Sequence, residues 1–266
     1  MNDENELIGI AKNAARIGSQ LARKAPSREI HHKGDRDLVT DVDLAVEREI
    51  RSFLARETPD IGFLGEEEGG QLSTGCGKAT WTLDPIDGTS NFAHGLPLCA
   101  ISLALVEGGT PTIGVIVAPF MDLSYHAGLT LGAFVNGERM KTSRTSELAN
   151  AIVSIGDYAV GENADAKNEK RIRLTRLLAA HVERIRMFGS AALDLAWVAE
   201  GRTDAAIILA NKPWDTAAGV LIAREAGAIV VDIAGVQHDV MSTGTIAISP
   251  ALANGLLSLL ETLSAT

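Results

Sequence analysis

A strand that is forced to break at a proline, with carboxylates on both sides of the break, constrains this chain more than any other feature. In Trp81-Thr-Leu-Asp-Pro-Ile-Asp-Gly-Thr-Ser-Asn-Phe92, residues Trp81 to Leu83 alternate as a half-buried strand does. Pro85 has no N–H to give to a ladder, so the pattern predicts a strand ending at Asp84. Asp84 and Asp87 are followed by Gly88-Thr89, where exposed backbone N–H groups can start a helix. Oxygen ligands beside amide donors suit a hard divalent cation next to a phosphate. Asp-Pro and Asp-Gly are also ordinary turn formers, and the pair alone leaves both readings open.

The 266 residues, 46% of them hydrophobic, suit one large α/β domain or two tightly joined ones that fold without disulfides. Cys76 and Cys99 lack a metal-type spacing and are read as free thiols of a cytoplasmic protein. The N-terminus, Met-Asn-Asp-Glu-Asn-Glu, is acidic where a secretory signal is basic, and no apolar run is long enough to span a bilayer. A net charge of −10 argues against nucleic acid or an anionic membrane as partner. It leaves room for an anionic substrate if metal ions or aligned amides reverse the potential locally.

Apolar residues at Leu7, Ile8, Ile10, Ala11, Ala14, Ile17 and Leu21 predict a helix from about Glu6, closed by Pro26. The segment from His31 to Asp37 reads as a polar loop, and its adjacent histidines do not suit convergence on one ion. A second helix follows, with Leu44, Ile50, Phe53 and Leu54 available for burial, Thr40 as N-cap and Asp43 as its capping-box partner. Ile61-Gly-Phe-Leu-Gly65 reads as a short strand ending in Glu66-Glu67-Glu68, acids placed where α/β sheets carry functional side chains. Leu98 to Val106 and Thr112 to Val117 form a hairpin, and Asn136-Gly137 marks another tight turn. The second half alternates strand and helix. Gly189-Ser190 opens an Ala- and Leu-rich helix as a potential anion site, and Pro213 to Gly227 is a helix with Asp215 at or near its N-cap.

Asp37-Leu-Val-Thr-Asp-Val-Asp43, Gly65-Glu66-Glu67, Asp84-Pro-Ile-Asp-Gly-Thr-Ser-Asn-Phe92 and Trp214-Asp-Thr-Ala-Ala-Gly219 together resemble the ordered motifs of the inositol monophosphatase family, from about Leu7 to Leu260. The resemblance implies a layered αβαβα sandwich: an antiparallel sheet with helices in residues 1–145, a second mixed sheet in residues 146–266, one globular unit, and a homodimer. It also implies two to three Mg²⁺ ions. Glu66, Asp84 and the Ile86 carbonyl would hold the first, Asp84, Asp87 and Asp215 the second, and a weaker third would lie near Glu66. Thr89 with Asp43 would activate water, and Lys33 falls near a lysine that the family places before the first motif. The backbone at Gly88, Thr89, Gly189, Ser190 and Ala191 would meet the phosphoryl group, with Asp215 also at the substrate.

The implied reaction is hydrolysis of a small phosphate monoester, an inositol, sugar, cyclitol or amino-alcohol phosphate, by metal-activated water. Lithium inhibition would follow from replacement of the second ion. Ile208 stands where inositol-preferring members carry a hydroxyl-binding acid, and isoleucine accepts no hydrogen bond, so Asn211 or Lys212 would have to take that role. The alternatives are a 3′-nucleotide phosphatase, favoured by an aromatic or basic surface near the pocket, a sugar bisphosphatase, or a regulatory protein that retains the metal site.

Overall fold

The computed structural model describes residues 4–25, 30–34, 37–73, 75 and 78–264. The chain runs through α1 (Glu4–Lys24), β1 (Ile30–Gly34), β2 (Asp37–Thr40), α2 (Asp41–Glu57), β3 (Gly62–Gly65), β4 (Ala79–Asp87) and α3 (Thr89–Ala93). The middle section holds β5 (Ala100–Glu107), β6 (Thr110–Ala118), β7 (Leu123–Gly128), β8 (Gly132–Val135) and β9 (Glu138–Arg139). The rest is β10 (Ile152–Ile155), α4 (Ala164–Ala179), β11 (Arg184–Arg186), α5 (Ala191–Glu200), β12 (Ala205–Ile208), α6 (Pro213–Glu225), β13 (Ile229–Val231), β14 (Thr245–Ile248) and α7 (Ala253–Ser264).

Strand alternation sorts the core into layers. On β5, Ile101, Leu103 and Leu105 join α1 and α2 in one apolar cluster, while Ala100, Ala104 and Val106 join α5 and α6 in another. The second sheet divides the same way, with Ala206, Ile208 and Ala247 facing α5 and α6. Its other face, with Val153, Ile207, Ile246 and Ile248, packs on α4 and α7. The order is therefore helix, sheet, helix, sheet, helix. Residues 192–199 of α5 are all buried, as a helix covered by a sheet on either side must be.

The first sheet runs β3-β4-β5-β6-β7-β8-β9 and the second β11-β10-β12-β14-β13. The second is mixed, as expected, with β10 parallel to β11 and β12 and the rest antiparallel. The first departs from expectation at its edge, where β3 pairs parallel to β4. The segment read as a loop is the hairpin of β1 and β2. The inward face of α1 is also smaller than its periodicity suggests: Ala11, Ala14, Ala15, Gly18 and Ala22 are buried, and Leu7, Ile8, Ile10 and Leu21 flank them. Small residues bring α1 close to α2; a Cβ on Gly18 would stand 2.9 Å from both Val46 and Ile50.

Pro85 does not end β4. The strand continues to Asp87 across a bulge, with Asp84 opposite Ser102 and Asp87 opposite Ala100. Three steps on β4 thus match two on β5. The extra residue absorbs the missing N–H, and it also cancels the half-turn that would put residues i and i+3 on opposite faces. Cys99 is fully buried, whereas Pro26 and Cys76 lie outside the described residues. Among the described residues no helix is long and apolar enough to cross a membrane.

Candidate active site

The β4 bulge, the start of α3, the loop after β3 and the N-termini of α5 and α6 meet at one cleft of about 440 Å³. Glu66, Asp84, Ile86, Asp87, Gly88, Thr89, Gly189, Ser190, Ala191 and Asp215 all line it. Lys33 lies on β1, and its side chain is outside those described.

Asp43 serves two purposes at once. Its Oδ2 accepts from the Thr40 backbone N–H at 2.9 Å and from the Thr40 hydroxyl, which closes the capping box of α2. Its Oδ1 stands 3.1 Å from Thr89 Oγ1, itself 3.0 Å from the Ile86 carbonyl. A hydroxyl has one proton, so Thr89 donates to one of these and retains lone pairs to accept with. Gly88 places Thr89 there through a φ of 89°, and a Cβ on it would stand 2.8 Å from the Leu98 carbonyl and 3.0 Å from that of Gly189. Asn91 joins the same two segments, donating to Leu98 O at 2.8 Å and to Phe188 O at 2.7 Å.

Asp87 occupies the N-terminus of α5. It accepts from the Ser190 hydroxyl, from Ala191 N–H at 3.2 Å and from Ala192 N–H at 2.7 Å. The donors expected to face a phosphate at Ser190 and Ala191 are thus turned onto a carboxylate, a substitute anion at a helix N-terminus. Asp215 is residue N3 of α6 rather than its N-cap, and its Oδ2 accepts from the N-cap Lys212 N–H at 2.6 Å.

The acids repel. Burial pushes the Asp84 carboxyl well above its ordinary range, and Glu66, Asp87, Asp215 and Asp43 push it further. Asp87 rises to about 6, burial outweighing its three donors, and Asp215 to about 7, again chiefly through burial. Asp43 is raised by burial and lowered in part by Thr40 and Thr89. This is a hard-oxygen donor set with an excess of negative charge, and it fits a divalent cation. Among the described residues no three His, Cys, Asp or Glu side chains are drawn close enough to grip an ion as they stand.

Sequence reasoning missed Glu47, a fully buried acid four residues after Asp43 on the same helical face. It accepts from Glu67 N–H and Glu68 N–H, each at 2.9 Å, and from Arg51 Nη2 at 3.1 Å. Arg51 in turn donates to Gly69 O at 2.8 Å. The loop that carries Glu66 is therefore held from behind, and a Cβ on Gly65 would intrude to 2.3 Å from that carboxyl group. The i, i+4 spacing from Asp43 was the available signal. The suggested understudies for Ile208 are engaged elsewhere or exposed. Asn211 donates to Ser242 O at 2.9 Å and accepts from Thr245 at 3.0 Å, and Lys212 is exposed, so Ile208, Leu209 and Ala210 line that side of the cleft.

With the fold and the acid cleft established, the relatives of the chain are informative. Residues 3–265 match the family model described as the inositol monophosphatase family. The chain is 35% identical to inositol monophosphatase 1 of Solanum lycopersicum over 263 residues, covering 96% of this chain and 95% of that protein. It is 38% identical over 226 residues to the fructose-1,6-bisphosphatase/inositol-1-monophosphatase of Thermotoga maritima, covering 84% and 80%. The solved structure of the extragenic suppressor protein suhB from Bartonella henselae superposes with a TM-score of 0.88 at 31% identity, covering 97% and 98%. The chain belongs to the inositol monophosphatase family, whose members are metal-dependent phosphomonoesterases.

Proposed function

We propose that this chain hydrolyses a small phosphate monoester with water, using two to three Mg²⁺ ions held by Glu66, Asp84, the Ile86 carbonyl, Asp87 and Asp215. The observation that carries the reading is the convergence of Glu66, Asp84, Asp87 and Asp215 on one cleft beside a threonine hydroxyl tethered between Asp43 and Ile86. When bound, such ions acidify a water and stabilise the entering and leaving oxygens of an in-line displacement.

The chain's own groups do the rest. Thr89 orients the attacking water through its lone pairs, and Asp43 Oδ1 draws off the hydroxyl proton, with Oδ2 anchored by Thr40 so that the carboxylate cannot rotate away. If Asp87 turned toward a cation, the Ser190 hydroxyl and the Ala191 N–H would be released and could donate to a phosphoryl oxygen. A catalytic role for Lys33 is part of the same reading. A homodimer and inhibition by lithium belong to the same reading.

The test is phosphate release, with and without Mg²⁺, across inositol, sugar, nucleotide and amino-alcohol phosphates. Asp84→Asn should lower kcat by more than the ~10–100-fold typical of losing an outer partner, with the fold intact by circular dichroism. Undiminished turnover in that variant overturns the reading. Metal binding without release from any compound favours a non-enzymatic role, which the likeness to a suhB protein brings into view.

A further inference from the structure

The acid-lined cleft has a second charged wall, formed by the segment after β10 and by α4. Lys167 and Arg171 both line the cleft, and a spacing of four residues puts them on one face of α4. The wall is built rather than loose. Asn168 accepts from Ala159 N–H at 2.7 Å and donates to Ala159 O at 3.0 Å. Arg171 Nε donates to Asp157 O at 3.0 Å, and the Tyr158 hydroxyl lies 3.2 Å from Thr175 Oγ1.

Among the described residues neither cation is in an ion pair with a carboxylate. Their hydrogen bonds go to backbone carbonyls: Arg171 Nη1 to Lys167 O at 3.3 Å and Lys167 Nζ to Glu162 O at 3.2 Å, besides the bond to Asp157. A guanidinium carries five N–H groups and an ammonium three, so most of their donors have no described protein acceptor. Asp157 also lines the cleft and lies toward Gly189, its Oδ2 3.5 Å from where a Cβ there would sit. Tyr158, Val160, Ile208 and Leu209 supply the neighbouring aromatic and aliphatic lining.

A neutral polyol uses this wall poorly. It offers no charge to the two cations, and Ile208 gives its hydroxyls no acceptor. We propose that the substrate is a phosphate monoester carrying a second anionic group, a phosphate or a carboxylate, which Lys167 and Arg171 receive while the scissile phosphate lies at Glu66, Asp84, Asp87 and Asp215. The proposal rests on the phosphatase reading and narrows its substrate class. Arg171 offers a planar fork suited to an oxyanion and Lys167 a mobile point charge, a pairing that tolerates either anion.

The experiment compares matched compounds that differ by the second anion: fructose 1-phosphate with fructose 1,6-bisphosphate, adenosine 3′-phosphate with adenosine 3′,5′-bisphosphate, and glycerol 3-phosphate with 3-phosphoglycerate. In at least one pair the doubly anionic member should have a kcat/KM at least about tenfold higher, mainly through KM, since a charge-assisted bond is worth roughly a factor of ten or more. Lys167→Gln/Arg171→Gln should bring that ratio close to one, and raising the salt from 50 to 300 mM should shrink it in the unaltered protein. Lys167→Gln alone leaves the bond from Arg171 to Asp157 in place and should lower the ratio at least about threefold, which decides the matter if the double variant melts early. Ratios of one or less in every pair, or a ratio that both variants leave unchanged, overturn the proposal and leave the phosphatase standing. Absence of release from every compound overturns the phosphatase reading itself.

Discussion

At the scale of single residues, the site depends on acids whose negative charge is managed by neighbours. Glu47 is the clearest case, because its fully buried carboxylate satisfies two backbone N–H groups and a guanidinium, and none of these touches the cleft directly. Glu47→Ala would leave Glu67 N–H, Glu68 N–H and Arg51 without their partner, and should cost about 2–4 kcal/mol of stability. Thermal melting should show this, and calorimetry should show weaker Mg²⁺ binding, since Glu66 sits on the loop that loses its anchor. Unchanged Mg²⁺ affinity would mean that the clamp stabilises the fold without positioning Glu66. Asp43 shows a different economy: one carboxylate caps a helix with one oxygen and addresses Thr89 with the other.

At the scale of elements, the β4 bulge does what a regular strand cannot. It lets Asp84 and Asp87, three residues apart, line the same cleft. The bulge is followed at once by Gly88, whose backbone lies against those of Leu98 and Gly189, so that the start of α3 and the approach to α5 are in contact. Gly88→Ala combines a strained φ with contacts to two carbonyl oxygens that cannot yield as a side chain would. It should lower stability by about 2–4 kcal/mol and displace Thr89 and Ser190 together. The expected signature is a lower melting temperature with a loss of phosphate release that excess Mg²⁺ does not restore; a variant with normal stability and turnover would mean that the junction is more tolerant than its contacts indicate.

At the scale of the whole molecule, the cleft is a place where folding and metal binding are linked. The carboxyls of Asp84, Asp87 and Asp215 have folded-state pKa values above their unfolded ones, about 6 for Asp87 and about 7 for Asp215. Groups raised in this way favour the fold below about pH 4, and that contribution is lost as pH climbs through the folded values. The metal-free protein therefore loses stability from these groups between about pH 4 and pH 7, where the carboxylates become ionised and ready for a cation. The rise in melting temperature on adding Mg²⁺ should be small at pH 5 and larger at pH 8. A pH-independent shift would place the ion elsewhere. We also propose that residues 1–145 and 146–266 unfold in one transition in the same melts, because α5 and α6 from the second half cover a face of the first sheet. Two separated transitions would mark independent domains.

Much of this molecule was legible in its residues. Helix periodicity, the Thr40 capping box, the hairpin between Val106 and Thr112, the Asn136-Gly137 turn and the order of the acidic motifs are local signals, each carried by groups a few residues apart, and the structure keeps them. Glu66, Asp84, Asp87 and Asp215, which the ordered motifs single out, line one cleft. What the tertiary structure alone decided depends on register and close packing between distant segments. The passage of β4 through Pro85, the parallel pairing of β3, the seat of Asp87 on α5, the clamp from Glu47 and the alignment of Lys167 and Arg171 with the acid cleft are all of this kind. Each is fixed by which strand lies beside which and how nearly two backbones approach, and no window of neighbouring residues contains that information.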